Sequence, residues 1–208
     1  MSSWKVYKAL SNIKFLKGKL ENIPDEGSIA PASYEFMGSM TRQALVKKMQ
    51  ERQAFILEGA WSARQPNLPI TTKDEALILA SIIEKETSVE IERSKISSVF
   101  VNRLLRDMAL QTDASVIYGI TKGKKGLGRG LRRSELKKDT PWNTYLNKGL
   151  PPSPIGNPGK SSIYAALNPD RTNYLYFVAD GSGGHAFAEN LRDHNTLEPT
   201  NFILFINL

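Results

Sequence analysis

Residues 71–87 read Thr-Thr-Lys-Asp-Glu-Ala-Leu-Ile-Leu-Ala-Ser-Ile-Ile-Glu-Lys-Glu-Thr. Thr72 and Glu75 have the spacing of a capping box, and Asp74 and Glu75 fall in the positively polarised first turn, so the spacing predicts a helix beginning here. Leu79, Ile82, Ile83 and Glu86 follow at offsets of 3, 4 and 7, which puts all four on one stripe of that helix. An acid that continues an apolar stripe faces a surface where ionisation is costly. Its pKa rises from an ordinary ~4.3, and about two units of rise make a general acid usable near neutral pH. Glu86 is therefore the first candidate for chemistry. The structural alternative is a glutamate at the rim of the core, paired with a lysine or arginine. Glu84 is turned about 200° away from that stripe.

Downstream, Ile96, Val99, Phe100 and Leu104 continue a helical period, which predicts a second helix over 90–106 after a break near Ser88. Upstream, Leu45, Met49 and Phe55 recur loosely behind Thr41, the expected N-cap, and Pro66 and Pro69 close that element. Residues 1–25 read as one amphipathic lead-in helix interrupted by Gly18, and 27–36 as extended chain. Pro151, Pro152, Pro154 and Pro158 forbid helix and central strand alike, so 149–159 is an ordered loop. A short helix is expected over 161–167, stopped by Asn168-Pro169. Residues 173–179 (NYLYFVA) are a strand that Asp180-Gly181-Ser182-Gly183-Gly184 turns back into His185-Ala186-Phe187-Ala188, a β-hairpin. Together these elements predict an α+β fold, mainly helical, with a small antiparallel sheet that includes the 173–188 hairpin.

The 208 residues are 40% apolar and 24% charged, the balance of an ordinary globular chain, and contain no apolar run near the roughly 20 residues needed to span a bilayer. With no cysteine and only His185 and His194 as imidazoles, disulfides, thiolate sites and histidine-rich metal clusters are excluded, and no cofactor or metal is expected. Carboxylates and hydroxyls must carry any chemistry. The net charge of +7 is concentrated between Thr121 and Lys138, where eight lysines and arginines face the single acid Glu135 among four glycines. The remainder is neutral overall, which argues against a nucleic-acid groove and for a mobile basic loop. No Gly-Lys-Ser/Thr follows the loop glycines, so a phosphate-binding P-loop is absent.

The run Leu79-Ala80-Ser81-Ile82-Ile83-Glu84-Lys85-Glu86-Thr87 resembles the catalytic helix of the endolytic murein transglycosylases, the YceG-like family. Further blocks match the family in its order: Ser98–Leu104, Leu110-Gln111-Thr112-Asp113 with Val116–Gly119, Trp142–Tyr145, Gly149–Pro152, Pro154-Ile155 with Asn157–Gly159, Tyr176–Asp180, Gly184–Phe187, and His194-Asn195. The resemblance implies a lysozyme-like glutamate-bearing helix in a catalytic domain over 26–200, after the lead-in of 1–25 and before an atypical tail, 201–208. It also implies cleavage of β-1,4 bonds between MurNAc and GlcNAc in peptidoglycan, leaving 1,6-anhydro-muramyl ends, with Glu86 as acid/base. The muramyl 6-hydroxyl acts as internal nucleophile in such a reaction, so one carboxyl group suffices where a hydrolase needs two.

Gln111, Asp113, Tyr118, Asn143, Tyr145 and His185 are candidates to hold the sugars, set against structural roles as caps, turn residues or core side chains. The family likeness further implies cooperation with the cell-wall synthesis machinery and a place on the periplasmic face of the inner membrane, where the basic loop would meet anionic polymer or lipid. Where the family shows an acid in a Pro-Asp-Thr-Tyr-like block, this chain has Pro31-Ala32-Ser33-Tyr34, and neither the family's membrane anchor nor its LysM-like module is within it. The rival readings are a carbohydrate-binding module that does not cleave, and a nucleic-acid binder built on the basic loop.

Overall fold

A computed structural model describes residues 1–35 and 39–197. The residues of the tail 201–208 lie outside that range.

The predicted helix is the central element. α3 (Lys73–Glu86) starts at the expected capping box: the Thr72 hydroxyl accepts the Glu75 N–H at 3.1 Å, and the Glu75 carboxylate accepts the Thr72 N–H at 3.0 Å. Ala76 and every residue from Ile78 to Ile83 are buried. Four helices close around it: α2 (Arg42–Ser62, capped by Thr41), α4 (Arg93–Leu105), α5 (Asp113–Thr121) and α7 (Lys160–Leu167). One core joins Leu57, Leu79, Ile82, Ile83, Ile96, Phe100, Ile163 and Leu167. The helix expected over 90–106 begins instead as a single 3-10 turn, Glu90–Glu92, before α4 proper.

The two polar side chains on the α7-facing side of α3 orient the proline loop. The Ser81 hydroxyl donates to the Ile78 carbonyl (2.7 Å) and accepts the N–H of Ile155 (2.9 Å). Glu84 reaches the first turn of α7, where its Oε2 accepts the Gly159 N–H (3.0 Å) and the Ser162 hydroxyl (2.6 Å). Gly159 is the N-cap of α7 and has no side chain of its own to offer, so Glu84 caps that helix from outside, with its charge at the favourable pole.

Residues 1–25 are not one helix. α1 spans Ser3–Asn12, and the chain beyond it is irregular, with Gly18 at φ +72°. The physical reason is Arg42, whose guanidinium collects the carbonyls of Leu10, Ser11, Ile13, Leu16 and Gly18. A continued helix would consume those carbonyls internally. A smaller core of Leu10, Leu16, Leu20, Ile29, Leu45 and Val46 lies under this segment.

Two short helices carried no clear periodic signal: α5 (Asp113–Thr121) and α6 (Arg133–Leu136). α6 lies inside the basic loop, where the Glu135 carboxylate receives both arms of Arg129 (2.7 and 2.8 Å) and the Arg132 N–H, so this part of the loop is structured. The hairpin is present as β1 (Tyr176–Ala179) and β2 (His185–Ala188), antiparallel with Tyr176 opposite Ala188 and Ala179 opposite His185. Asp180 Oδ1 closes its turn by accepting from Ser182 N (2.8 Å) and Ser182 Oγ (2.7 Å). The strand starts three residues later than 173 because Asn102 Nδ2 takes the carbonyls of Thr172 and Tyr174. α8 (Leu191–Leu197) follows and packs on both strands. Among the described residues no helix is long and apolar enough to cross a membrane.

Glu84→Ala would leave the Gly159 N–H and the Ser162 hydroxyl without their acceptor and is expected to cost about 1–3 kcal/mol. Thr72→Ala, which removes half of a solvent-exposed capping box, is expected to cost about 1 kcal/mol. Denaturant unfolding of both variants, read as a lower midpoint at unchanged slope, checks the order.

Candidate functional site

Glu86 is the last residue of α3, and the apolar stripe delivers it to one end of a cleft of about 410 Å³. Its Oε1 is out of contact with water and has no hydrogen-bond partner among the described residues. Burial pushes its pKa up to about 7; the Thr112 hydroxyl pulls it back, the Asp113 carboxylate raises it and His185 lowers it, each by less. The C-terminal pole of α3 also disfavours an anion there. Glu84, two residues earlier, has the opposite surroundings: two donors satisfy its carboxylate.

The wall facing Glu86 is the segment Leu110–Asp113 with Tyr145. A buried hydroxyl web holds the two pieces together. Thr144 Oγ1 accepts the Thr112 N–H (3.0 Å) and shares a hydrogen bond with Ser115 Oγ (2.8 Å), while the Thr144 carbonyl accepts the Gln111 N–H (3.0 Å). Thr112 caps α5 by accepting the Ser115 N–H. This web sets Asp113 and Tyr145 side by side, with the Tyr145 hydroxyl donating to Asp113 Oδ1 at 2.6 Å. Burial and that acidic partner push the Tyr145 hydroxyl far above its ordinary range, so it remains a donor. Gln111 sits at φ +53°, a left-handed conformation that a side chain adopts only at a cost and only where its surroundings impose it.

Of the expected residues, Glu86, Gln111, Asp113 and Tyr145 therefore line one cleft. Three do not. Tyr118 is on the far side of α5, against Trp142 (ring centroids 5.8 Å apart), in a separate cavity of about 470 Å³ that Lys5, Lys85 and Ile155 also line. Burial, then the Glu26 carboxylate, raise its hydroxyl to about 12. Its place follows from helix geometry, since five residues after Asp113 the helix has turned about 140°. Asn143 is fully buried, and its amide is committed to the backbone: Nδ2 donates to the carbonyls of Leu136 and Lys138 (both 2.8 Å), and Oδ1 accepts the Tyr145 N–H (3.0 Å). It braces the Tyr145 turn. His185 ties the hairpin to the Glu90–Glu92 turn, with Nδ1 and the backbone N–H on the two oxygens of Glu92 (2.8 and 2.9 Å), and it acts on Glu86 only through its charge.

The cleft also contains side chains that the sequence reading did not nominate: Phe100 and Arg103 from α4, Tyr176–Val178 from β1, and Leu191 and His194 from α8. Arg103 carried a usable signal. It stands seven residues after Ile96 on the stripe of Val99 and Phe100, the same offset that singled out Glu86. The α8 residues carried none, because their place depends on where the hairpin docks. Among the described residues no three His, Asp or Glu side chains converge to hold a metal ion. The arrangement offers one carboxyl group able to hold and release a proton near neutral pH, facing an open cleft whose other polar groups are fixed in place.

The YceG-like family model matches residues 1–198. The chain is 42% identical over 173 residues to an endolytic murein transglycosylase of Bacillus subtilis, covering 83% of this chain and 46% of that protein. It is 35% identical over 175 residues to one of Streptococcus pneumoniae, covering 82% of this chain and 31% of that protein. It thus spans less than half the length of these curated relatives. The crystal structure of a YceG-like protein from Listeria monocytogenes superposes with a TM-score of 0.71 at 33% identity, covering 94% of this chain and 62% of that one. With the same fold and a family match along nearly its whole length, this chain belongs to the YceG-like family.

Proposed function

We propose that this chain is the catalytic part of a lytic transglycosylase that cleaves the β-1,4 bond between MurNAc and GlcNAc in peptidoglycan and forms 1,6-anhydro-MurNAc ends. The observation that carries the reading is the Glu86 carboxyl group, half-buried, with one oxygen unpartnered and its pKa raised to about 7, at the wall of an open cleft. The endolytic murein transglycosylases of Bacillus subtilis and Streptococcus pneumoniae that it resembles support it.

In this mechanism neutral Glu86 donates its proton to the glycosidic oxygen as the bond to the anomeric carbon breaks. The leaving sugar departs with its hydroxyl restored. The Glu86 carboxylate then accepts the proton of the muramyl 6-hydroxyl as that oxygen closes on the anomeric carbon, which regenerates the acid. Asp113, held by Tyr145, supplies negative charge toward the oxocarbenium-like transition state, and Gln111 and Tyr145 contact sugar hydroxyl and acetamido groups. A second reading is favoured by Asp113 itself. A second carboxylate in the cleft is what a hydrolase uses to direct water, and water in place of the 6-hydroxyl would give a reducing end. On either reading we place the protein at the periplasmic face of the inner membrane beside the cell-wall synthesis machinery, with the basic loop toward anionic polymer or lipid headgroups.

Glu86→Gln is expected to lower product formation by about 100- to 10,000-fold while leaving glycan binding in place. Mass spectrometry of digested sacculi separates the two chemistries, since anhydro ends are lighter by one water than reducing ends. Wild-type kcat/KM should be level below pH 7 and fall about tenfold per unit above it, because the first step needs the protonated acid.

Stability should show the same group. Below pH about 4.5 Glu86 is protonated in the folded and unfolded chain alike; between there and about 7 only the folded chain keeps the proton; above 7 the fold must carry the charge. Folding stability therefore falls as pH rises through this window, by at most about 3 kcal/mol. Glu86→Gln should match wild type in stability at pH 4 and exceed it at pH 8, as read by urea unfolding at the two pH values.

A further inference from the structure

Glu86 is not the only group the fold withdraws from water beside the cleft. Arg103 is 8% exposed, and no carboxylate pairs with it among the described residues. Its Nε donates to the Leu175 carbonyl (2.7 Å), and its Nη1 donates to the carbonyls of Ala109 (3.2 Å) and Leu110 (2.9 Å) and reaches Gln111 Oε1 at 3.4 Å. Nη2 takes no part in these bonds. The Tyr176 ring centroid lies 5.1 Å from the guanidinium carbon, and His194 stacks on that ring at 5.3 Å, which fixes the plane of the group.

The backbone contacts explain why a donor is needed at this position, because they join α4 to the 109–111 wall and to the entry of β1. They do not explain a full positive charge. A neutral donor would make comparable bonds without the penalty of burying a cation, and burial indeed draws the guanidinium pKa downward. The ring above recovers only part of that penalty. An anion brought by a ligand would recover the rest, and the side chain lines the same cleft as Glu86.

We propose that Arg103 contacts substrate directly: its free guanidinium edge takes a carboxylate carried on the 3-O substituent of the muramyl sugar, and so selects muramyl strands over plain N-acetylglucosamine polymers. This rests on the glycan reading of the cleft. The carboxylate has two sources, the lactyl group of a bare strand or the peptide attached to it.

The test measures binding to Glu86→Gln protein, which retains Arg103. The probes are bare glycan strands, the same strands with methyl-esterified carboxylates, peptide-bearing strands and chitin oligosaccharides. Free carboxylates should bind about 10- to 100-fold tighter than esters or chitin, with the margin narrowing as salt is raised. Adding Arg103→Lys should reduce the margin and Arg103→Met should abolish it. A margin confined to bare strands names the lactyl group, and one confined to peptide-bearing strands names the peptide. Equal affinity for free and esterified strands overturns the proposal, and that comparison needs no Arg103 variant to fold. Discrimination by a wild-type chain that releases no products would refute the cleavage reading and keep the carboxylate site. Cleavage of free and esterified strands with equal kcat/KM would refute the site alone.

Discussion

A carboxyl group that ends a buried helix has nowhere inexpensive to put a negative charge, and the candidate site depends on that constraint. Along α3 every residue from Ile78 to Ile83 is shut off from water, so the helix cannot rotate to release Glu86 without exposing its core. The C-terminal pole of the helix and the nearby Asp113 oppose ionisation; the Thr112 hydroxyl and His185 ease it. The result is a proton held near neutral pH, which is where an acid that must also serve as a base is most useful.

The two acids of α3 show that environment, not residue type, assigns the role. Glu84 meets an N–H and a hydroxyl at the start of α7 and becomes a helix cap. Glu86 meets one unpartnered oxygen's worth of empty hydrogen-bonding capacity and becomes a proton donor in waiting. They are two positions apart on one helix, and the first holds the packing that keeps the second dry. The hydroxyl web of Thr112, Ser115 and Thr144 does for Asp113 and Tyr145 what α7 does for Glu86, fixing polar groups that would otherwise search many rotamers.

α2, α3, α7 and the hairpin are legible in the sequence, because each carries its own cap, period or turn residues. α5, α6 and α8 are not legible there, being short and held by the Thr112 cap, by the Arg129–Glu135 contacts and by packing on the strands. Residues 1–25 read locally as one helix because the Arg42 guanidinium that gathers their carbonyls stands 24 to 32 positions away. Tyr118 and Asn143 had the right chemistry for sugar contacts, but which face of α5 meets the cleft, and whether an amide is already spent on Leu136 and Lys138, are not written locally.

What the sequence by itself determined is the helix of residues 73–86 and the acid at its end, since capping and a 3.6-residue period are short-range properties of the chain. Only the tertiary structure decided which groups face that acid. Arg103, Gln111, Asp113, Tyr145, Tyr176 and His194 come from five separate segments. Their convergence is set by how α4, the 109–113 wall and the hairpin dock on one core, a sum of long-range contacts that no local pattern records.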